Sequence, residues 1–105
     1  MVETFIAFFY NNARVMLVEE LFKALSSKWR LKIIQMLEER EICQCEFLNF
    51  IPIDETTLSR HLSVLKRAGI VSERRKGRKK LLSIKNRKIY ELLALAEKIW
   101  KEGRG

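Results

Sequence analysis

Residues 54–69, DETTLSRHLSVLKRAG, constrain this chain more than any other stretch. Leu58, Leu62 and Leu65 recur at i, i+4 and i+7, which puts them on one stripe of a helix that must face a core. Asp54 follows Pro52-Ile53, and its carboxylate suits the free amides of a first helical turn. Gly69 closes the helix. The opposite face near the start carries Thr56, Thr57, Ser59, Arg60 and His61, short donors and acceptors beside one long cation. A helix with an apolar back and this front suits a DNA major groove, where side chains near the helix start reach base edges. Taken alone, the same residues also read as a solvated surface helix.

What surrounds that helix narrows the choice. The chain has 105 residues, 48% of them apolar and 32% charged, as expected of one globular domain over 1–105 with a modest core. One Pro and four Gly leave little room for long loops and favour helices. Residues 1–53 carry six Lys/Arg against seven Asp/Glu, whereas 54–105 carry fifteen against six. The second half is therefore +9 and the first −1. Such asymmetry points to a polyanionic partner for the C-terminal half, with counterion release from phosphates as the driving force; a membrane surface is the competing polyanion. The longest uncharged N-terminal run, Thr4 to Ala13, is too short to span a bilayer. Glu3 precedes it where a signal peptide would be basic, so the expected location is cytoplasmic.

Taken in order, Met1 to about Glu20 is helical, with Phe5, Phe8, Phe9 and Tyr10 too apolar to leave wet. They suit burial against a second copy, or wrapping of the chain's own core. Glu19–Leu25 reads as a second short helix. Ser26 or Ser27 then caps a third from Lys28 to about Glu39, with Leu31, Ile34, Met36 and Leu37 as core stripe and Trp29 in the core or at its rim. Ile42–Phe50 reads as a fourth, with Phe47, Leu48 and Ile51 inward, ended by Pro52. Together with residues 54–68 it makes a helix-turn-helix. Beyond Gly69 the period changes to alternation. Residues 70–75 and 78–84 read as two strands around Lys76-Gly77, a hairpin whose Gly can take positive φ. Its tip holds six cations in seven residues, Arg74, Arg75, Lys76, Arg78, Lys79 and Lys80. A flexible, self-repelling loop is one reading; a wing that grips phosphates or the minor groove is the other. Asn86 caps a last helix, 87–102, whose stripe of Ile89, Leu92, Leu93, Ala96, Ile99 and Trp100 suits the first helix and a partner subunit.

Leu25–Arg30 (LSSKWR), Cys43-Gln44-Cys45, the run Thr57–Leu62 (TLSRHL) with Val64-Leu65, the exit Ala68–Val71 (AGIV) and Arg74–Arg78 (RRKGR) resemble the ArsR/SmtB family of winged helix-turn-helix repressors over residues 20–95. The resemblance implies a mainly α fold of five or six helices with a two-stranded wing. It implies a homodimer joined by its first and last helices that recognises an inverted repeat in double-stranded promoter DNA and releases it to an inducer. Residue by residue, Thr56, Thr57, Ser59, Arg60 and His61 fall where the family reads DNA. Two places depart from the pattern: Glu55 stands where Gln is common, and Lys79 and Lys80 stand where apolar or aromatic residues are usual.

Cys43 and Cys45 lie where arsenic- or heavy-metal-responsive members place a C-x-C pair. Thiolates suit soft ions, yet the third cysteine of the arsenic motif would fall at Leu48, and zinc needs more than two thiolates. Residues i and i+2 of a regular helix also point about 200° apart. Metalloid or metal sensing, a thiol redox switch, and buried cysteines acting as small hydrophobes all remain open, and no resident cofactor is expected. No acid/base pair with a nucleophile and no phosphate-cradling Gly loop is present, so an enzyme is not expected. The rival function is a winged-helix subunit of transcription machinery whose basic wing meets an acidic protein.

Overall fold

The computed structural model describes residues 2–105, with side chains from Asn12 onward. The expectation for Phe5, Phe8, Phe9 and Tyr10 therefore lies outside the described side chains. The elements are α1 (Val2–Leu25), α2 (Lys28–Met36), β1 (Ile42–Cys43), α3 (Gln44–Phe47), α4 (Glu55–Arg67), β2 (Val71–Lys76), β3 (Lys79–Ile84) and α5 (Lys88–Arg104). The five helices are joined by a three-stranded antiparallel sheet of order β1-β3-β2, on which α3 and α4 pack.

The two N-terminal helices expected before Ser26 form one helix. No Gly or Pro interrupts Glu19–Leu25, and Lys23 spans the expected junction with ion pairs to Glu19 at 3.0 Å and Glu20 at 3.7 Å. The break comes at Ser26-Ser27. Ser27 adopts an extended backbone, and its hydroxyl accepts the Arg30 amide at 3.3 Å to cap α2.

The core collects Ile33, Ile34 and Leu37 from α2, Phe47 and Ile51 around α3, Leu58, Leu62 and Leu65 from α4, and Leu82 from β3. Two inward assignments are corrected. Leu31 is exposed and borders a groove against Leu93 of α5, because α2 turns Ile33 inward beside Ile34. Leu48 is also exposed, since α3 ends at Phe47 after a single turn. The helix expected over Ile42–Phe50 begins instead as a strand: Ile42 and Cys43 pair with Leu82 and Leu81 of β3, giving the wing a third strand.

Helix α4 ends in a Schellman motif. Gly69 sits at φ 76°, its amide donates to the Lys66 carbonyl, and the Ile70 amide donates to the Leu65 carbonyl. The chain therefore leaves the helix straight into β2, with Ile70 and Val71 buried. In the β2–β3 hairpin the loop is Gly77-Arg78. Gly77 has φ 63° and Arg78 does not share a positive φ, as in a II′ turn with Gly first.

At its far end α5 starts where Asn86 Oδ1 accepts the Lys88 amide at 3.0 Å. The Tyr90 hydroxyl donates to the Ile34 carbonyl at 2.6 Å, tying α5 to α2, and burial pushes the Tyr90 phenol up to about 12. Beyond Leu93 the expected stripe is wet. Ile99 and Trp100 are exposed on α5, as are Val15, Met16, Leu17 and Phe22 on α1, with Leu17 at 72%. The Cα radius of gyration, 16.9 Å, exceeds the roughly 13 Å of a compact chain of this length, so the core leaves these helices largely uncovered. Among the described residues no helix is long and apolar enough to cross a membrane.

Candidate nucleic-acid interface

The polar face of α4 is fixed from its first turn. Asp54 Oδ1 accepts the Thr57 amide at 2.7 Å, and that hydrogen bond holds the Asp54 carboxyl below its ordinary pKa. With Leu58, Leu62 and Leu65 pinned in the core, Thr56, Ser59 and Arg60 stand exposed, whereas Thr57 and His61 are half-buried at the edge of the face. Two contacts brace this face, and both come from residues that sequence reading assigned no role. Gln44 Nε2 donates to Ser59 Oγ at 3.2 Å, and Arg30 Nη1 lies 3.0 Å from His61 Nδ1.

On the wing, Arg75, Lys76, Arg78 and Lys79 are exposed and Lys80 is half-buried. Arg74 differs from them. Its Nε and Nη2 donate to Glu41 at 2.8 and 2.7 Å, a two-pronged pair that holds the Glu41 carboxyl below the usual carboxylate range. The arginine grouped by sequence with the free cations therefore fastens β2 to the segment before β1. Glu73 likewise accepts from Lys66 at 2.9 Å, tying β2 to α4. Helix and wing meet at a cleft of about 440 Å³ bordered by Cys45, Glu55, Arg78, Lys79 and Lys80. The N-terminus of the polar helix and the cationic hairpin thus stand side by side.

The cysteines depart from the helical expectation for a physical reason. Cys43 is the last residue of β1 and the N-cap of α3, with an extended backbone. The 200° separation of a regular helix does not apply there. Cys43 is buried, Cys45 is exposed, and their sulfurs are paired across a Cα–Cα distance of 5.2 Å. Glu46 stabilises the turn by accepting from the Cys43 amide at 3.4 Å and from Arg40 at 2.8 Å; the Arg40 contact is the main reason its carboxyl lies below the ordinary range. Among the described residues no three His, Cys, Asp or Glu side chains gather as a metal site would require.

A short helix, a turn, a core-anchored helix with a polar front, and a cationic hairpin packed beside it define a winged helix-turn-helix, a DNA-binding class. The family profile described as "Bacterial regulatory protein, arsR family" matches residues 27–73. The HTH-type transcriptional regulator Rv0081 of Mycobacterium tuberculosis is 40% identical over 81 residues, which span 76% of this chain and 71% of that one. Its crystal structure matches with a TM-score of 0.75 over 86% of this chain and 92% of the other, at 37% identity. The cadmium resistance transcriptional regulatory protein CadC of Listeria innocua is 40% identical over 79 residues, 74% of this chain and 66% of CadC. A solution structure of the homodimeric winged helix-turn-helix domain Mb0332 of Mycobacterium bovis matches with a TM-score of 0.77 at 28% identity, over 89% of this chain and 86% of that one. This chain belongs to the ArsR family. It is a DNA-binding transcriptional regulator and not an enzyme.

Proposed function

We propose that residues 1–105 act as one domain of a cytoplasmic, homodimeric repressor that reads an inverted repeat in promoter DNA. Helix α4 enters the major groove with Thr56, Thr57, Ser59, Arg60 and His61. The wing grips phosphates or the adjacent minor groove with Arg75, Lys76, Arg78, Lys79 and Lys80, while Arg74 stays with Glu41. The observation that carries this reading is the shared cleft, lined by Glu55 of α4 together with Arg78, Lys79 and Lys80 of the wing. One duplex can touch both.

The uncovered apolar faces of α1 and α5 support the dimer, in keeping with the homodimeric neighbour. A two-fold partner would set the two reading helices ~34 Å apart, about one duplex turn. Sedimentation equilibrium is expected to give twice the chain mass of 12.5 kDa; a monomer at micromolar concentration would refute the dimer. A dimer clasping a promoter excludes polymerase from it, which is the basis for reading the protein as a repressor.

The function is tested by selecting bound DNA from a random pool and titrating the winner against random sequence in salt. Selected DNA is expected to bind at least ~4 kcal/mol more tightly than random DNA. A protein-contact module with a basic surface would show no such surplus. Arg60→Ala is expected to cost ~1–3 kcal/mol on the selected site with relaxed preference at one position. An equal loss on every sequence would remove Arg60 from base reading.

A further inference from the structure

The guanidinium of Arg30 is engaged on three sides. Nε donates to the Ala24 carbonyl at 2.6 Å and Nη2 to the Lys23 carbonyl at 3.2 Å, both in the last turn of α1, where a helix runs out of its own amides. Nη1 lies 3.0 Å from Nδ1 of His61 on α4. A guanidinium only donates, so Nδ1 is the acceptor, the imidazole is neutral, and its one ring proton sits on Nε2. Among the described residues that Nε2 has no partner, and no buried side-chain nitrogen there is left unpaired. The Nε2–H therefore reaches solvent. It does so one turn beyond Thr57, on the edge of the face assigned above to DNA.

We propose that Arg30 is a positioning residue for DNA binding: it holds His61 in the Nε2–H form and ties it to the end of α1, aiming a donor at an acceptor on the duplex. This rests on the reading of α4 as the groove helix. Arg30 touches no DNA in this arrangement and acts through His61. Lysine does not replace it, because one ammonium lacks the planar fork that reaches two carbonyls and a ring nitrogen together.

The acid limit of the device has a definite sign. Burial, and secondarily the Arg30 charge, hold the His61 pKa below its ordinary value. Arg30 is the charge that faces the ring directly. Glu20, Lys23 and Arg67 border the neighbouring cleft, and Lys23 is paired with Glu19 and Glu20. The unfolded chain thus binds the proton more readily than the folded one. The contribution of this contact to stability is complete above about pH 6.5 and declines as the pH falls toward the folded pKa.

His61 is the only histidine in the chain, so imidazole ¹⁵N signals report on it alone. The free wild-type protein at pH 7.5 is expected to show the Nε2–H form; the Nδ1–H form would overturn the proposal without any variant. On the selected DNA site, Arg30→Met is expected to weaken binding about tenfold, the size of one lost hydrogen bond. In a His61→Ala background the same change is expected to have no further effect. Losses that multiply would mean that Arg30 acts on the fold and not through His61. If His61→Ala binds like wild type while Arg60→Ala does not, the positioning role fails and groove reading by α4 stands. If neither substitution matters, both fail.

Discussion

Phe47→Ala will lower the free energy of unfolding by about 3–5 kcal/mol, the cost of deleting a fully buried aromatic ring and leaving the space behind. Phe47 is 0% exposed. It sits at the end of a four-residue helix, too short to persist without tertiary packing. Ile51, Leu58, Leu62 and Leu82 are buried in the same cluster, so the ring joins the helix-turn-helix to the central strand of the wing. Against a typical stability of roughly 5–15 kcal/mol, the loss threatens the fold and DNA binding together. Urea denaturation followed by circular dichroism measures it. A change under ~1 kcal/mol would mean that the site collapses around the smaller side chain or that Phe47 is not enclosed as described.

Replacing Arg75, Lys76, Arg78 and Lys79 together with alanine will weaken binding on selected and random DNA alike, by roughly ten- to a thousandfold near 0.1 M salt. It will also flatten the salt dependence by about 0.9 in log–log slope for each phosphate contact removed. These four side chains are exposed and form none of the ion pairs seen among the described residues. They are the fully exposed wing cations left free to meet phosphates. Arg74→Ala is the matched control: with its guanidinium on Glu41, it should leave the slope nearly unchanged. A quadruple variant with the wild-type slope would place the wing away from the duplex, and an Arg74 variant that flattened it would mean that Glu41 surrenders its partner on binding.

Legibility in the sequence followed the range of the forces involved. Helix α4 was readable because its Leu58/Leu62/Leu65 stripe, its Asp54 cap and its Gly69 exit are all local signals, and each appears in the structure. The hairpin was readable for the same reason, through Gly77. What escaped depends on distant partners. Two residues, Ile42-Cys43, are too few to display a period, and only pairing with Leu82 and Leu81 makes them a strand. Leu31 and Ile33 are equally apolar in sequence; the way α2 lies on the core decides which is buried. Within the candidate site the exposed polar residues of α4 stood out by type and spacing. The braces Gln44, Arg30 and Glu41 did not, since they lie 15, 31 and 33 residues from Ser59, His61 and Arg74.

The strand order β1-β3-β2 leaves the outer edge of β2 without a hydrogen-bonding neighbour in the sheet. A bare edge invites foreign strands to add on, and charged side chains are a common defence. Along β2, Glu73, Arg74, Arg75 and Lys76 follow one another without interruption. Between encounters with duplex, the same run therefore discourages one molecule from stacking edge to edge on the next. Stripping it for a binding experiment would remove a safeguard against clumping as well as a grip.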